Sequence, residues 1–366
     1  MAQDAVISIG AGASQLPLIK TAKQMGYRVV AVDRNASAPG FEWSDEKCIM
    51  STHDTVNVVA ELGLLQERYR YKGVVARTVG KALFTASAVA EKFRLPGIEK
   101  NVLPLVTEKS ALREFCHKNN IVAPQGVRIK KDGHTPVLLR FPLVVKPDFT
   151  VIGKKNISIV RDKAYLLSAI TAACAVSGNQ YAEVETYVDG ADVSSLFFVE
   201  EGKATFLYSW DELIGIDEKG GIEGLGISVP SMTAQSGVEE KIKNIMGNIV
   251  SHFPKMTAFL ILSCRVGKKG ESYVIELHAD LGGEQVMDRL IPKATRGINY
   301  FAEIIRALTR SGHPVKNLVC APSLLFLPSG EIIQQESVEK NFDRFAALIR
   351  ARGGKIRQIP HYMLFS

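Results

Sequence analysis

Residues 5–33 have the sequence AVISIGAGASQLPLIKTAKQMGYRVVAVD, and this stretch decides the fold class. An apolar run over residues 5–9 leads into a Gly-Ala-Gly turn, and apolar side chains then recur at helical spacing as far as Met25. A second apolar run follows at residues 29–32. A strand, a helix and a strand in this order predict two parallel strands joined by a crossover helix. The opening of the chain therefore predicts an α/β domain.

The rest of the chain predicts two kinds of sheet. A helix over 54–63, a strand over 73–76 and a helix over about 80–93 continue the first pattern, so the first hundred residues predict a small doubly wound parallel sheet. Short strands dominate after Thr107, with interspersed helices, which predicts an α+β region. The predicted strands of that region cover 143–146, 157–160, 181–187, 193–199, 204–210, 258–266, 272–277, 323–327 and 331–335.

The composition is that of a globular protein. Of the 366 residues, 46% are hydrophobic and 23% charged, which excludes disorder as the main state. No apolar run approaches the roughly 18 to 20 residues that span a bilayer, and the N-terminus lacks the basic segment of a signal peptide. Five scattered cysteines without CxxC spacing predict reduced thiols rather than disulfides or a zinc cluster. We therefore expect a cytoplasmic protein with no membrane contact.

The net charge limits the class of partner. The charge of +7 arises from 45 basic and 38 acidic residues and is not gathered into a basic arm or repeat. Nucleic-acid binding is therefore not predicted. An anionic small-molecule substrate accounts for the excess equally well.

The first turn of the chain has two interpretations. Gly10 and Gly12 match the first two glycines of a dinucleotide fingerprint, and Asp33 ends the second strand near the place of a ribose-binding acid. Gln15 replaces the third glycine, which normally lets the helix pack close to the strand. Nicotinamide-dinucleotide binding and a plain tight turn both remain open on this pattern.

Charged residues at strand ends form the next candidate site. Lys146 follows the apolar run 142–145, and Gly153-Lys154-Lys155-Asn156 forms a basic turn; both suit phosphate oxygens, although a solvated strand end and a soluble surface turn are the alternatives. Glu185 and Asp192 flank a predicted strand–turn–strand. They could accept hydrogen bonds from a base and from ribose hydroxyls, or form an ordinary acidic turn.

The strongest local signal is the segment 275–283, IELHADLGG. Glu276, His278 and Asp280 alternate along a predicted strand, so all three are expected to point to one face. Three potential ligands on one face, followed by Gly282-Gly283, predict a divalent-cation site, with Mg²⁺ the expected ion if phosphates share it. A chance salt bridge at a strand end is the alternative.

Taken in order, these segments resemble the ATP-grasp superfamily of carboxylate–amine ligases over nearly the whole chain. The segment over residues 9–40 is similar to the pre-ATP-grasp domain of the purine-pathway members, and the segments around 107–124, 184–192 and 275–280 are similar to successive family motifs. The resemblance implies a Rossmann-like pre-ATP-grasp domain over 1–103. It further implies an ATP-grasp fold of two subdomains, the first over 104–190 with a glycine- and lysine-containing lid, the second over 191–366 with the metal site.

The resemblance also implies a set of site residues. The two phosphate lysines fall on Lys109 and Lys146, and the small lid falls on residues 149–158. Glu185 is expected near the adenine amino group, and Glu276 is expected to bind a Mg²⁺ ion that bridges the β- and γ-phosphates. The full set of implied ATP-binding residues is Lys109, Lys146, Lys154, Lys155, Glu185, Val188 and Asp192, the last near the ribose.

The chain departs from the family pattern at the metal site. His278 stands in the place of an asparagine, Asp280 in the place of an arginine, and Ser263 in the place of an acidic ligand. We take Glu276 and His278 as the predicted metal ligands, and the imidazole makes Mn²⁺ an alternative to Mg²⁺. Because position 280 lacks its positive charge, Arg289 and Lys293 are predicted to supply it.

Three functions follow as hypotheses. The first is an ATP- and Mg²⁺-dependent ligase that activates a small carboxylic acid as an acyl phosphate for attack by an amine. The second is a degenerate ATP-grasp protein that binds nucleotide in a regulatory role without turnover. The third, a nicotinamide-dependent oxidoreductase, accounts only for the first hundred residues. A homodimer is a family-level expectation, and residues 208–231 are the candidate covering loop.

Overall fold

The computed structural model describes residues 2–131, 139–149, 156–216, 221–234, 237–283, 285–314, 321–334 and 337–351. Within these ranges the strands form three sheets, two with four strands and one with seven. None of the helices in the described ranges has the length and hydrophobicity that a bilayer-spanning helix needs.

The N-terminal sheet is parallel, as the opening sequence predicts. Its strand order is β3-β2-β1-β4, with helices on both faces. The side chains of β1 alternate between two cores, because Val6 faces one helical layer and its neighbours Ala5 and Ile7 face the other. The elements are β1 (Gln3–Ile9), α1 (Leu16–Gln24), β2 (Arg28–Asp33), β3 (Glu46–Ile49), α2 (Thr55–Leu64), β4 (Tyr69–Val75) and α3 (Ala82–Phe93).

A small antiparallel sheet follows, with the strand order β5-β8-β6-β7. One helix covers it, and the Asp162 side chain caps that helix by accepting a hydrogen bond from the Ala164 amide. The elements are α4 (Leu103–Thr107), α5 (Lys109–Lys118), β5 (Gly126–Lys130), β6 (Leu143–Pro147), β7 (Ser158–Val160), α6 (Lys163–Val176) and β8 (Tyr181–Thr186).

The largest sheet has seven strands in the order β13-β12-β9-β10-β11-β14-β15, all paired antiparallel. Its strands are β9 (Gly190–Glu200), β10 (Lys203–Ile216), β11 (Ile222–Val229), β12 (Thr257–Gly267), β13 (Ser272–His278), β14 (Ser323–Phe326) and β15 (Glu331–Ile333). Its helices are α7 (Val238–Ser251), α8 (Ile291–Ala294), α9 (Tyr300–Leu308) and α10 (Val338–Ala351), and a π-helical turn, Val286–Leu290, precedes α8.

The architecture confirms the predicted fold class: a parallel N-terminal sheet is followed by two antiparallel sheets.

The predicted covering loop over 208–231 is wrong for most of its length, because β10 extends to Ile216 and β11 starts at Ile222. The glycines in this segment interrupt the alternation of side chains by which a strand is predicted from sequence. Gly226 is needed in β11, since a Cβ atom there would lie 2.9 Å from the Leu325 carbonyl oxygen on the neighbouring strand.

One hydrophobic core joins the N-terminal domain to the large sheet. Leu18 and Ile19 of α1 pack in the same cluster as Phe198 of β9, Trp210 of β10 and Ile304 of α9. All five side chains are less than 5% exposed. The first domain is therefore attached through buried apolar surface, and this contact fixes its position beside the large sheet.

Candidate active site

A single cavity of about 850 Å³ brings together the residues that the sequence predicted for nucleotide and metal binding. Its walls come from the small sheet on one side and the large sheet on the other. The predicted site residues that border it are Lys109, Lys146, Glu185, Val188, Asp192, Glu276 and His278. Asp280 and Ser263 border it as well. Lys154 and Lys155 lie outside the described residues.

Lys146 is the most deeply buried of the cavity's cations. The apolar run of β6 carries it into the protein, so that only 2% of the residue is exposed. Its Nζ lies 2.8 Å from Oε2 of Glu185 on the adjacent strand β8. Burial alone would lower the pKa of Lys146, but Glu185 and Glu276 raise it above its usual value, so the amine stays charged.

Glu276 lies between two basic groups. Lys109, the first residue of α5, places its Nζ 2.9 Å from Oε1, and His278 places Nε2 3.0 Å from Oε2. Although partial burial works against ionisation, Lys109 and His278 hold the pKa of Glu276 well below its usual value. Burial would lower the pKa of His278, but its hydrogen bond to Glu276 raises it to about 9. The carboxylate is thus ionised and the imidazole protonated at neutral pH.

Arg265 fixes the connection between the two sheets, and sequence reasoning missed it. This buried residue of β12 donates from Nε to the Val188 carbonyl oxygen at 2.9 Å. Its Nη1 lies 2.8 Å from Oδ1 of Asp192, and its guanidinium lies 5.4 Å from the ring centre of Tyr187. A lone arginine in the apolar run TAFLILSCRVG was the available signal, equivalent to that of Lys146 in β6.

A second missed residue, Glu212 of β10, approaches the place where the sequence lacks an acid. The Ser194 hydroxyl donates to Oε1 of Glu212 at 2.7 Å, and the Oγ atoms of Ser194 and Ser263 are also 2.7 Å apart. Ser263 is the cross-strand partner of Glu276. Two serines therefore connect the cavity carboxylate Glu212 to the position beside Glu276.

The comparisons with known proteins agree on the fold. Over 304 residues, 81% of its length, the chain is 21% identical to the carbamoyl phosphate synthase large chain of Pseudothermotoga lettingae, but spans only 26% of that relative. A solved N5-carboxyaminoimidazole ribonucleotide synthetase with ADP matches with a TM-score of 0.71, at 14% identity, over 95% of this chain and 96% of that one. The chain has the ATP-grasp fold.

Two further comparisons complete this result. The L-amino acid ligase of Bacillus licheniformis matches this chain with a TM-score of 0.67 at 18% identity, over 88% of this chain and 78% of the ligase. A search against family profiles found no match.

The donor set of this ATP-grasp cavity fits a magnesium ion shared with phosphates. Mg²⁺ in nucleotide sites is held by one or two carboxylates together with the substrate's phosphates, and Glu276 faces the cavity beside two lysines suited to phosphate. In the described ranges no three His, Cys, Asp or Glu side chains gather into a cluster that could hold a metal ion. Glu276 is thus the side chain that would hold the ion, with His278 adjacent.

The predicted catalytic pair does not reach the cavity. Arg289 and Lys293 are both exposed, and neither borders the cavity. Arg289 instead lies against the turn after β14, where its Nη1 would be 2.7 Å from a Cβ atom added at Gly330. The reason is that the π-helical turn Val286–Leu290 directs Val286, Met287 and Leu290 into the core, which leaves Arg289 on the exposed side.

Arg77 provides the buried guanidinium next to this segment, and sequence reasoning did not single it out. Its side chain is 3% exposed; Nη1 lies 2.8 Å from Oδ1 of Asp288, and Nε donates to the Gly282 carbonyl oxygen at 3.3 Å. The Gly282 amide in turn donates to Oδ1 of Asp280. Arg77 therefore connects the end of β4 to the turn that follows β13.

The side chain of Gln15 occupies the space above the first turn of the chain. Gln15 donates to the Arg77 carbonyl oxygen, and a Cβ atom at Gly10 would lie 2.9 Å from its Cδ. The Ala11 amide donates to Oδ2 of Asp33 at 2.9 Å. Because Gln15 fills the space above the turn, the plain tight turn fits this structure better than a dinucleotide pyrophosphate site.

Proposed function

We propose that this protein is an ATP-dependent ligase that activates a small carboxylic acid as an acyl phosphate and joins it to an amine. The observation that carries the proposal is the convergence of Lys109, Lys146 and Glu276 on one cavity. The ATP-grasp fold supports it, since its solved relatives include an L-amino acid ligase and a synthetase bound to ADP. Small acids and amines are the expected substrates.

The reaction requires two anions to meet, and the cavity supplies charge for this. A substrate carboxylate and the γ-phosphate of ATP repel each other unless cations lie between them. Lys109 and Lys146 are both held in place by carboxylates, Glu276 and Glu185 respectively. Each lysine is therefore already oriented toward the cavity, and needs no reordering to donate to a phosphate oxygen.

The bonds made and broken balance without a redox partner. A carboxylate oxygen attacks the γ-phosphorus, the bond from that phosphorus to the β–γ bridging oxygen breaks, and ADP leaves. The amine nitrogen then attacks the acyl carbon, the carbon–oxygen bond to phosphate breaks, and the amine loses a proton. When bound at Glu276, Mg²⁺ would neutralise phosphate charge. Lys109 and Lys146 would hold the phosphates in line for the transfer.

The test is acid-dependent ADP release by the purified protein with ATP, Mg²⁺ and a panel of carboxylic acids and amines. We expect Lys146→Gln to reduce kcat/KM about a hundredfold, because it removes a charged donor from the transferring phosphate. Lys243→Gln is the matched control, since Lys243 pairs with Glu239 and Glu240 on the surface of α7 and should leave the rate unchanged. Equal rates for wild type and Lys146→Gln would contradict the proposal.

One observation favours a second function, nucleotide binding without turnover. Ser263 supplies no carboxylate beside Glu276, and Glu276 itself is paired on both sides. The same experiment separates the two functions. Calorimetric binding of ATP with no ADP release across the whole panel would favour the regulatory role.

A further inference from the structure

The wall of the cavity changes from charged to apolar across the large sheet. On β13 and β12 it presents Glu276, His278, Ser263 and Arg265. Among the side chains that the structure describes on β11 and just after β14, it presents Ile222, Ile227 and Leu327. Strands lie about 4.8 Å apart, so β11, four strands from β13, is roughly 19 Å away from it. The two ends of the cavity therefore suit chemically different parts of their ligands.

The nucleotide would occupy the charged end of the cavity, and the apolar end lies further along the large sheet. Glu185, Asp192 and Glu276, the residues proposed for adenine, ribose and phosphate, all lie toward the small sheet, β9 and β13. The far end is enclosed by Ile214, Ile227, Val286 and Leu327. Ile227 and Val286 belong to the core that joins the first domain to the large sheet, so this wall is rigid.

We propose that the acid substrate carries an aliphatic or aromatic group that packs against Ile214, Ile227, Val286 and Leu327. This inference rests on the proposed ligase function, because the carboxylate must lie at the phosphate end while the body of the same molecule extends along the cavity. Removing an apolar group from water against such side chains favours binding in proportion to the area buried.

The polar residues at the apolar end specify what the substrate lacks. Glu212, the cross-strand partner of Ile227, borders this part of the cavity, as does Gln285, which precedes Val286. In the described ranges, the cavity's basic side chains Lys109, Lys146, Arg265 and His278 all lie outside the apolar end. A second carboxylate or a phosphate group at this end of the substrate would lie near the acidic side chain of Glu212, and the repulsion disfavours it. We therefore expect monocarboxylic acids to be preferred over dicarboxylic and phosphorylated ones.

The experiment measures KM for matched acids by ADP release, using 4-methylpentanoate, phenylacetate, acetate and succinate. We expect the two apolar acids to be preferred over acetate and succinate by at least about tenfold in kcat/KM. Leu327→Asn should raise KM for 4-methylpentanoate about tenfold and leave KM for ATP unchanged, because Leu327 lies at the far end. Leu64→Asn is the matched control, since Leu64 is 76% exposed on α2 and far from the cavity.

A second readout separates failure of this inference from failure of the ligase proposal. Thermal unfolding with a non-hydrolysable ATP analogue reports acid binding without turnover. Equal use of acetate, succinate and phenylacetate, or an unchanged KM in Leu327→Asn, overturns the apolar site and leaves the ligase intact. No ADP release with any acid, with 4-methylpentanoate stabilising wild type but not Leu327→Asn, supports the apolar site and overturns the ligase. Absence of both turnover and stabilisation overturns both.

Discussion

At the scale of single residues, the charged side chains of the cavity form ion pairs. Lys146 is paired with Glu185, Lys109 with Glu276, and Arg265 with Asp192, at distances of 2.8 to 2.9 Å. Breaking a buried pair by removing one partner costs more than the pair contributes, since an uncompensated charge remains. A substitution such as Lys146→Gln leaves the Glu185 carboxylate without its cation, so urea unfolding of the variant has to accompany its kinetics if an effect on chemistry is to be separated from loss of folding.

His278 offers a direct test of metal preference. Replacing it with asparagine removes a cation that lies 3.0 Å from Glu276, so the carboxylate attracts a divalent cation more strongly. We expect His278→Asn to lower the Mg²⁺ concentration for half-maximal ATP binding about threefold to tenfold, and to reduce any preference for Mn²⁺. Calorimetric titration of ATP at a series of metal concentrations measures both.

The control for this prediction is His53→Asn, an exposed histidine of the first domain. It should leave the metal dependence as it is in wild type. An unchanged Mg²⁺ midpoint in His278→Asn would show that the positive charge of His278 beside Glu276 does not govern metal binding.

Asp211 predicts a pH dependence of stability. Burial raises the pKa of this carboxyl to about 6, even though the Ser231 hydroxyl and the Met232 amide donate to it. The folded state thus binds the proton more tightly than the unfolded chain, so the contribution to stability is complete below about pH 4 and is lost as the pH rises through 6. A shift of this size corresponds to about 3 kcal/mol at most.

Urea unfolding of wild type and Asp211→Asn between pH 4.5 and 7.5 measures this contribution. Because asparagine does not titrate, the unfolding free energy of wild type minus that of Asp211→Asn should decrease as the pH rises to about pH 7. Above that pH the difference should stay constant. Other titrating groups are common to both proteins and cancel. A difference that does not vary with pH would contradict the raised pKa of Asp211.

At the scale of elements, the start of β9 is the tightest contact between strands near the site. A Cβ atom at Gly190, two residues after the cavity residue Val188, would lie 2.1 Å from the Val266 carbonyl oxygen of β12. We expect Gly190→Ala to separate β9 from β12, destabilise the protein by about 2 kcal/mol and weaken ATP binding. Urea unfolding and calorimetry check the two effects.

Gly247→Ala is the matched control. Gly247 lies inside α7, and a Cβ atom there meets nothing within 4 Å, so alanine should stabilise the protein by about 0.5 to 1 kcal/mol. If Gly190→Ala were as stable as wild type, the strands would have more freedom to separate than this geometry indicates.

The elements also show how far the sequence could predict the structure. The segments with clear periodicity, such as the βαβ unit and the apolar strands β12 and β13, were predicted to within about two residues at most ends. The first half of β10 was predicted, over 204–210, but its second half and β11 were missed, because glycines such as Gly226 break the strand pattern while allowing close packing. The short strand β5 was missed as well, since its sequence GVRIK carries two charges in five residues.

The site follows the same division. Lys146 and Glu276 could be predicted because each is a charge at the end of an apolar strand, a signal present in one segment. Arg265 carries the same signal as Lys146 but was missed, whereas Glu212 could not be predicted, because its role depends on which strands are neighbours in the large sheet. Arg289 and Lys293 were assigned to the site by their nearness to it in sequence, but the π-helical turn carries Arg289, and α8 carries Lys293, on exposed positions away from the cavity.

At the scale of the whole molecule, the first domain and the large sheet share one core. Apolar residues of β1, α1 and β2 pack in the same cluster as residues of β9, β10, β11 and α9. The Tyr27 hydroxyl donates to Oγ1 of Thr309, and Arg77 pairs with Asp288, so polar contacts cross the same boundary. The small sheet has a separate core with α6. We therefore expect the first domain and the large sheet to unfold together.

The chain's two tryptophans can test this expectation, because one lies in the first domain and the other in the large sheet. Trp43 is 43% exposed in the first domain, and Trp210 is buried in β10 of the large sheet. Trp210→Phe leaves fluorescence that reports only the first domain, and Trp43→Phe leaves fluorescence that reports only the sheet.

In urea titrations of each variant, the fluorescence midpoint should coincide with the midpoint for loss of secondary structure in the same variant, measured by circular dichroism. Adding Ile304→Ala, which creates a cavity in the shared core, should lower both midpoints equally and cost about 3 kcal/mol. Val89→Ala, in the core that belongs to the first domain alone, should also lower both midpoints, because a cooperative unit loses stability as a whole. An earlier transition at Trp43, or an effect of Val89→Ala confined to it, would mean that the first domain unfolds independently and that the apolar end of the cavity loses its rigid support.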